Sequence, residues 1–306
     1  MEILVCIDDT DDLAKTTSTG KVAEAIEARL LADAVAHESR GITRHQLLLD
    51  ERINYTSHNS SMCLALTRRE NINELSAAAL NEIKSAVIHT GVDRIRELKA
   101  AEADPGLCVL LPEQLNAPDA LISFGVSGQR VVLTKDQAYA LAQKEGLHLS
   151  EHGGDGSGVI GALCGVGLRL SGFDGWFRGK LKPAALGLSG KTVSARELTA
   201  KTGVPVFCAG ARLQAEQQIE LQEGLKCMLM NHRKVIAVHR QPGQEAYRPY
   251  SKKTVKNSVT LQAAGCSAFE TDNDLEERLA ENPAEKSCFN CLYRRWTRHG
   301  FRCVRV

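Results

Sequence analysis

No stretch of the 306 residues approaches the ~20 consecutive apolar residues that a membrane span requires. Nor is there an excess of one charge: 38 Lys and Arg stand against 37 Asp and Glu, a net +1. Internal repeats and low-complexity tracts are absent. Hydrophobic residues at 43% and charged residues at 25% are ordinary for a globular protein. This excludes a disordered tail, a collagen-like chain and a coiled coil. The opening MEILVCIDDTDD has neither the basic n-region nor the cleavage site of a secretory signal. The chain is therefore expected in the cytoplasm, without a membrane partner.

The ten cysteines are the first positive feature. Cys6, Cys63, Cys108 and Cys164 lie singly inside apolar segments and read as small buried hydrophobes. Along the chain, 2–7 (EILVCI), 61–67 and 106–111 read as buried strands. Residues 20–31 and 72–99 carry helical periodicity. Asp104-Pro105-Gly106 is a turn signal. Residues 131–146 read as a short strand followed by a helix, and 159–170 as an apolar helix. Alternating strands and helices predict an α/β fold, with a mixed sheet flanked by helices in an N-terminal domain. A composition shift near Pro183 places the boundary between an N-terminal domain, 1–183, and a smaller, basic α+β region, 184–306. In the latter, 203–209 and 233–239 read as strands, 241–258 as loop and 274–281 as a short acidic helix.

The near-neutral total hides an asymmetry. Residues 225–306 carry 15 Lys and Arg against 8 Asp and Glu, +7, which leaves −6 for the rest. A basic end suits an anionic partner such as RNA, or it is a solvated surface of uneven composition.

Chemistry concentrates in three places. Asp8, Asp9, Asp11 and Asp12 surround Thr10 directly after the opening strand. Four carboxylates so close repel one another. At a strand end, where α/β sheets bind ligands, Mg2+ held with a substrate phosphate would relieve this; a solvated acidic turn is the plain alternative. An EF-hand is excluded, since loop position six is not Gly and no Glu closes the loop. The run Thr16-Thr17-Ser18-Thr19-Gly20-Lys21 then enters a helix. Ser18 or Thr19 can cap it, and the first-turn N–H groups can take a phosphate. This is not a Walker A loop, because Lys15 stands where its first Gly belongs and Val22 where Ser or Thr is needed. Finally, Gly153, Gly154, Gly156 and Gly158 precede the apolar helix of 159–170. They form either a phosphate cradle or a flexible loop before a closely packed helix, with Gly161, Gly165 and Gly167 favouring close packing.

Ile7-Asp8-Asp9-Thr10-Asp11, Ser18-Thr19, Asn59, Asp104-Pro105-Gly106 and the GSGVIGALCGVG stretch occur in the order seen in one family. Over roughly 1–180 the chain resembles the kinase domain of the archaeal isoleucine-tRNA agmatinylcytidine synthetases. The resemblance implies ATP and Mg2+ as cofactors, and phosphoryl transfer to a cytidine base before agmatine attack. It implies Asp8, Asp9, Asp11 and Asp12 as metal and catalytic acids, and Ser18 at the place of a phosphorylatable Thr. Asn59 matches its motif asparagine and Gly156 and Gly158 its nucleotide-loop glycines; Thr10, Thr19, Lys21 and Gly154 beside these motifs complete the expected nucleotide-binding set. The chain departs from the family at Asp12, where the family has Ser, and ahead of Asn59. There the family carries a K-T-R-G-N pattern and this chain reads Tyr55-Thr56-Ser57-His58-Asn59. Arg44, Lys21 and His58 are the cations that could compensate.

Near the C-terminal end, Cys288-x-x-Cys291, His299 and Cys303 have the composition of a zinc (Zn2+) site, with Cys266 as an alternative to His299. Otherwise these are thiols in a small packed β-hairpin. The intervening YRRWTRHGFR mixes aromatics and cations as single-strand binders do. Three functions follow. One is an ATP- and Mg2+-dependent phosphotransferase or ligase-like enzyme acting on a nucleotide or RNA. The second is a D-x-D phosphatase with Asp9 as nucleophile and Asp11 as acid/base. The third is a nucleotide- or RNA-binding module without catalysis.

Overall fold

The structure, a computed structural model, describes residues 1–11, 17–53, 59–115, 117–188, 192–208, 211–240 and 243–250, and the backbone of 294–297 and 300–303. Contacts divide the chain into two units, Met1–Ser171 and Gly172–Val306. The fold is α/β.

In the first unit, β1 (Glu2–Asp8), β2 (Glu38–Gln46), β3 (Ser60–Thr67), β4 (Gly106–Leu110) and β5 (His148–Glu151) form a sheet in the order β5-β4-β1-β3-β2. All of these pairings are antiparallel. The central strand β1 is buried on both faces, which is why its sequence is a continuous apolar run. Ile3, Val5 and Ile7 pack against Val22, Ala23, Ile26 and Leu30 of α1 (Thr19–Ala32) and Val87 and Ile95 of α2 (Ala77–Leu98). On the other face, Leu4 and Cys6 meet α3 (Pro118–Ser127), α4 (Lys135–Lys144) and α5 (Gly158–Ser171) through Leu121, Ala138, Ala162, Leu163 and Val166. Each such Leu or Ile fully removed from water contributes about 1.5–3 kcal/mol.

Caps set the helix starts. Ser18 Oγ accepts from the Lys21 N–H at α1, and Ser76 Oγ accepts from the Ala79 N–H at α2. Thr134 and Gln137 form a reciprocal capping box at α4. The short strand expected at 131–133 does not form. The Arg130 and Val131 N–H groups both donate to the Ser127 carbonyl in the turn that ends α3, and Val131 stays exposed.

Cys6 sits in register between Cys63 and Cys108. These thiols and Cys164 are free and buried, as the sequence leads one to expect. Burial pushes the Cys6, Cys108 and Cys164 thiols up, which keeps them protonated.

The second unit contains β6 (Trp176–Phe177), β7 (Thr192–Ser194), α6 (Ala195–Thr202), β8 (Val206–Cys208), β9 (Ala211–Arg212), β10 (Gln218–Glu220), β11 (Met228–Met230), β12 (Arg233–His239) and β13 (Arg248–Pro249). Its sheet runs β6-β11-β12-β8-β9 with β13 on β12, and the β12–β8 pairing is parallel. β10 pairs with β7. Leu198, Val206, Ile219, Leu225, Ile236 and Val238 fill its core. Pro183 opens a 3-10 turn within this unit. A hairpin of β14 (Arg294–Thr297) and β15 (Gly300–Cys303) sets Trp296 opposite Phe301. Cys266, Cys288, Cys291, His299 and the acidic segment 274–281 lie outside the described residues.

The close fit of α5 on the sheet depends on Gly106. A Cβ there would collide with the Gly158 carbonyl and the Val159 nitrogen, and backbone cannot yield as a side-chain tip can. Gly106→Ala is expected to destabilise the protein by about 1–3 kcal/mol, seen as a lower urea midpoint with an unchanged m-value. A midpoint equal to that of the parent would refute this packing.

Candidate active site at the end of the first strand

β1 ends in Asp8, whose side chain is buried against α5. A Cβ on Gly161 would land on the Asp8 carboxylate, so only a glycine lets the helix pass over it. Burial, then the charges of Asp9 and Asp11, hold the Asp8 carboxyl well above the usual carboxylate range, opposed by the Asp9 backbone N–H. Asp9 follows in a left-handed conformation, φ 54°. Asp tolerates this region better than most residues, and the turn redirects the chain out of the strand. Thr10 is completely buried, and its Oγ1 has no hydrogen-bond partner among the described residues. Its carbonyl accepts from the Ala100 N–H, which ties this turn to the segment after α2. Asp11 accepts a 3.4 Å hydrogen bond from Thr19 at the start of α1. It also faces Arg44, whose pKa burial lowers and the Asp11 charge raises. Arg44 donates from Nε to Ser60 Oγ.

The glycine loop comes to the same place. Asp104 Oδ1 accepts from the Asp155 N–H at 2.8 Å, and Asp155 Oδ1 accepts from the Ser157 N–H at 2.8 Å. Gly154 has φ 51°, and a Cβ on it would strike Asp104. Gly156, also at positive φ, lies against Glu151. Gly158 donates to the Asp104 carbonyl. Asp9 feels this loop directly. Burial, then the charges of Asp104, Asp11 and Asp155, push its pKa up to about 7. Asp104 is raised by burial and by Asp155, against the pull of the Asp155 N–H, Lys99 and Lys135.

Of the residues expected from the sequence, Asp8, Asp9, Asp11, Thr19, Gly154, Gly156 and Gly158 thus gather around one region, with Arg44 at Asp11. Asp12 and His58 lie outside the described residues. Ser18 serves as the α1 cap, and Lys21 is exposed on the first turn. Asn59 Nδ2 donates to the Leu48 carbonyl, which fastens the approach to β3. Sequence reasoning missed Asp104, Asp155, Lys99 and Lys135. Asp155 stands inside the glycine run and Asp104 inside a turn signal, where each passed for a loop residue.

Two expectations need qualification. The loop does not offer a row of open donors: the N–H groups of Asp155, Gly156, Ser157, Gly158, Val159 and Ile160 all donate within the loop or to Asp104. And among the described residues, no three Asp, Glu, His or Cys side chains are arranged to hold a metal ion. Mg2+ does not require three, since it takes one or two carboxylates with water and substrate phosphates. Asp8 and Asp9 offer two crowded carboxylates, and the charges that shift them are those of other acids.

An Asp9 pKa near 7, against an ordinary ~4, means the folded state keeps a proton that the unfolded chain releases. The stability this contributes is lost as pH rises between those values and is gone above about 7. Asp8 acts in the same direction, whereas the lowered pKa values of His148 and His152 act oppositely. The readout is therefore the melting temperature of metal-free Asp9→Asn minus that of the parent, which should grow from about pH 4 to 7 and then level off. A difference independent of pH would show that Asp9 is not held in this environment.

No protein-family model and no curated protein matches the chain. Among solved structures it is similar to apo TiaS, a tRNA agmatidine synthetase, at 21% identity and a TM-score of 0.42, over 55% of this chain and 35% of that chain. It is likewise similar to a tRNA fluorescent labeling enzyme and to TiaS in complex with its tRNA and ATP, each at 22% identity and a TM-score of 0.42, over 55% of this chain and 36% of that chain. The similarity spans about a third of the length of those proteins. The resemblance is thus to part of TiaS, over 55% of this chain.

Proposed function

We propose that the first unit binds ATP with Mg2+ between the end of β1 and the 153–158 loop, and transfers a phosphoryl group to an acceptor of the nucleotide or RNA class. The observation that carries this reading is the convergence of Asp8 and Asp9 with the loop: Gly161 lies on the Asp8 carboxylate, and Asp104 and Asp155 act on Asp9. Crowded like charges in one place call for a cation. Mg2+ held there by Asp8 and Asp9 would supply positive charge against the charge that develops in transfer.

The chain's own residues do the rest by position. Asp8, locked beneath α5, and Asp9, turned out of the strand, present carboxylates to the ion. Arg44 on the Asp11 side, and Lys99 and Lys135 on the Asp104 side, supply positive charge for the phosphates. The missing Lys and Arg ahead of Asn59 are thus replaced from β2, from the end of α2 and from α4. Asp11 and Thr19 hold the chain between β1 and α1. The acceptor class follows from the motif resemblance and from the +7 charge of 225–306, which suits a polyanion. Among the described residues no helix is long and apolar enough to cross a membrane.

Calorimetry tests the reading. The protein should take up ATP only with Mg2+ present. Asp9→Asn, which keeps the turn geometry and removes the charge, should weaken binding by about tenfold or more, as loss of one charged contact implies. Absence of heat at millimolar Mg2+ and ATP, or parental behaviour of Asp9→Asn, would defeat it. Turnover of p-nitrophenyl phosphate without any nucleotide would put the D-x-D phosphatase in its place.

A further inference from the structure

Lys135, at the start of α4, reaches across to the glycine loop. Its Nζ donates to the Asp155 carbonyl at 2.5 Å and to Glu151 Oε1 at 3.1 Å. Glu151 also accepts from the Tyr139 hydroxyl at 2.8 Å, and its carboxylate lies beneath Gly156. Loop tip, lysine, glutamate and tyrosine thus form one closed set. We propose that Lys135 is a triphosphate-binding cation, and that it reaches the ligand by leaving Glu151 and Asp155.

Three features support the exchange. The N–H groups of residues 155–160 are engaged internally, so side-chain cations must take the phosphates or the loop must open. Lys135 already touches the loop tip. Its side chain is 38% exposed and that of Glu151 36% exposed, and an ion pair so open to water is worth at most about 1 kcal/mol. A triphosphate, with several charges to the one of Glu151, outcompetes it. Nor does departure leave Glu151 stranded, since the Tyr139 hydroxyl stays on it. The capping box at Thr134 and Gln137 holds the backbone beneath Lys135 fixed, so the movement is confined to a flexible four-carbon stem. Release of the Asp155 carbonyl removes a restraint on the loop just as the ligand arrives. Lys135 and Glu151 then form a latch that senses the terminal phosphates. Glu151 acts only through Lys135, as a positioning residue.

This inference rests on the nucleotide reading above, and its test separates the two. Binding of a non-hydrolysable ATP analogue and of AMP, both with Mg2+, is measured for the parent, Lys135→Gln, Lys135→Arg and Glu151→Gln. The analogue should bind Lys135→Gln about tenfold or more weakly and Lys135→Arg close to normally, while AMP binding is unchanged. Glu151→Gln should bind the analogue more tightly than the parent, because the competitor is gone. A merely structural role for the pair predicts weakening instead. Parental affinity of Lys135→Gln, or weakening by Glu151→Gln equal to that by Lys135→Gln, overturns the latch while leaving nucleotide binding in place. No binding by the parent overturns the nucleotide reading itself.

Discussion

The near-contact of α5 with the sheet governs the first unit. Helix and strand backbones approach this closely only where side chains are missing. Gly106 and Gly158 meet backbone to backbone, Gly161 passes over Asp8, and a Cβ on Gly165 would strike Cys6 and Ser61. Within α5, Gly161, Gly165 and Gly167 each lower intrinsic helix stability by about 1 kcal/mol relative to Ala. The helix forms nonetheless, because Ala162, Leu163, Val166 and Leu168 are buried and offset that deficit through apolar contact. The same approach closes water off from Asp8. A single packing constraint therefore fixes both the position of the loop that opens α5 and the environment of the acid beneath it.

That environment is unfavourable. A carboxylate removed from water without a cation is disfavoured by several kcal/mol, and the protein relieves the strain partly by protonation, as the Asp9 pKa near 7 shows. At Asp104 the Asp155 N–H and two lysines oppose the effect of burial only in part, and its pKa stays raised. Natural cores do not retain uncompensated acids for stability, since apolar residues of similar volume serve better. Their presence at a strand end, beside an orphaned Thr10 hydroxyl, destabilises the folded state in a way that a bound cation would reverse.

What the sequence revealed follows from how strongly each segment depends on burial. β1, β3 and β4 are covered on both faces and read as apolar runs, and α5 announced itself by its hydrophobicity. β2 (ESRGITRHQ) and β5 (HLSE) carry polar residues and half-exposed positions, so no apolar periodicity marked them; β5 is the edge of the first unit's sheet. At 131–133 the reverse occurred: β-branched residues suggested a strand, but hydrogen bonds closing the turn after α3 took precedence. The aspartates after β1 were legible because four carboxylates together have few explanations. Asp104 and Asp155 were not, because a single acid beside Gly or Pro is what any turn contains, and only the fold shows the two joined by a hydrogen bond.

In the glycine loop the sequence pattern does not reveal how the backbone groups are used. A run of glycines before a helix suggests open N–H donors aimed at an anion. Here the positive φ of Gly154 and Gly156 folds the loop against Asp104 and Glu151, and the N–H groups of residues 155–160 are consumed in holding that shape. What the loop then delivers is not a ring of donors but the Asp155 carboxylate, which together with Asp104 of the turn before β4 acts on Asp9, while the charges of Lys99 and Lys135 act on Asp104. On the reading proposed above, a site built this way would attract a metal–phosphate pair more strongly than either component alone. The acids would repel a bare polyphosphate, the lysines would oppose a bare cation, and the pair would satisfy both sets.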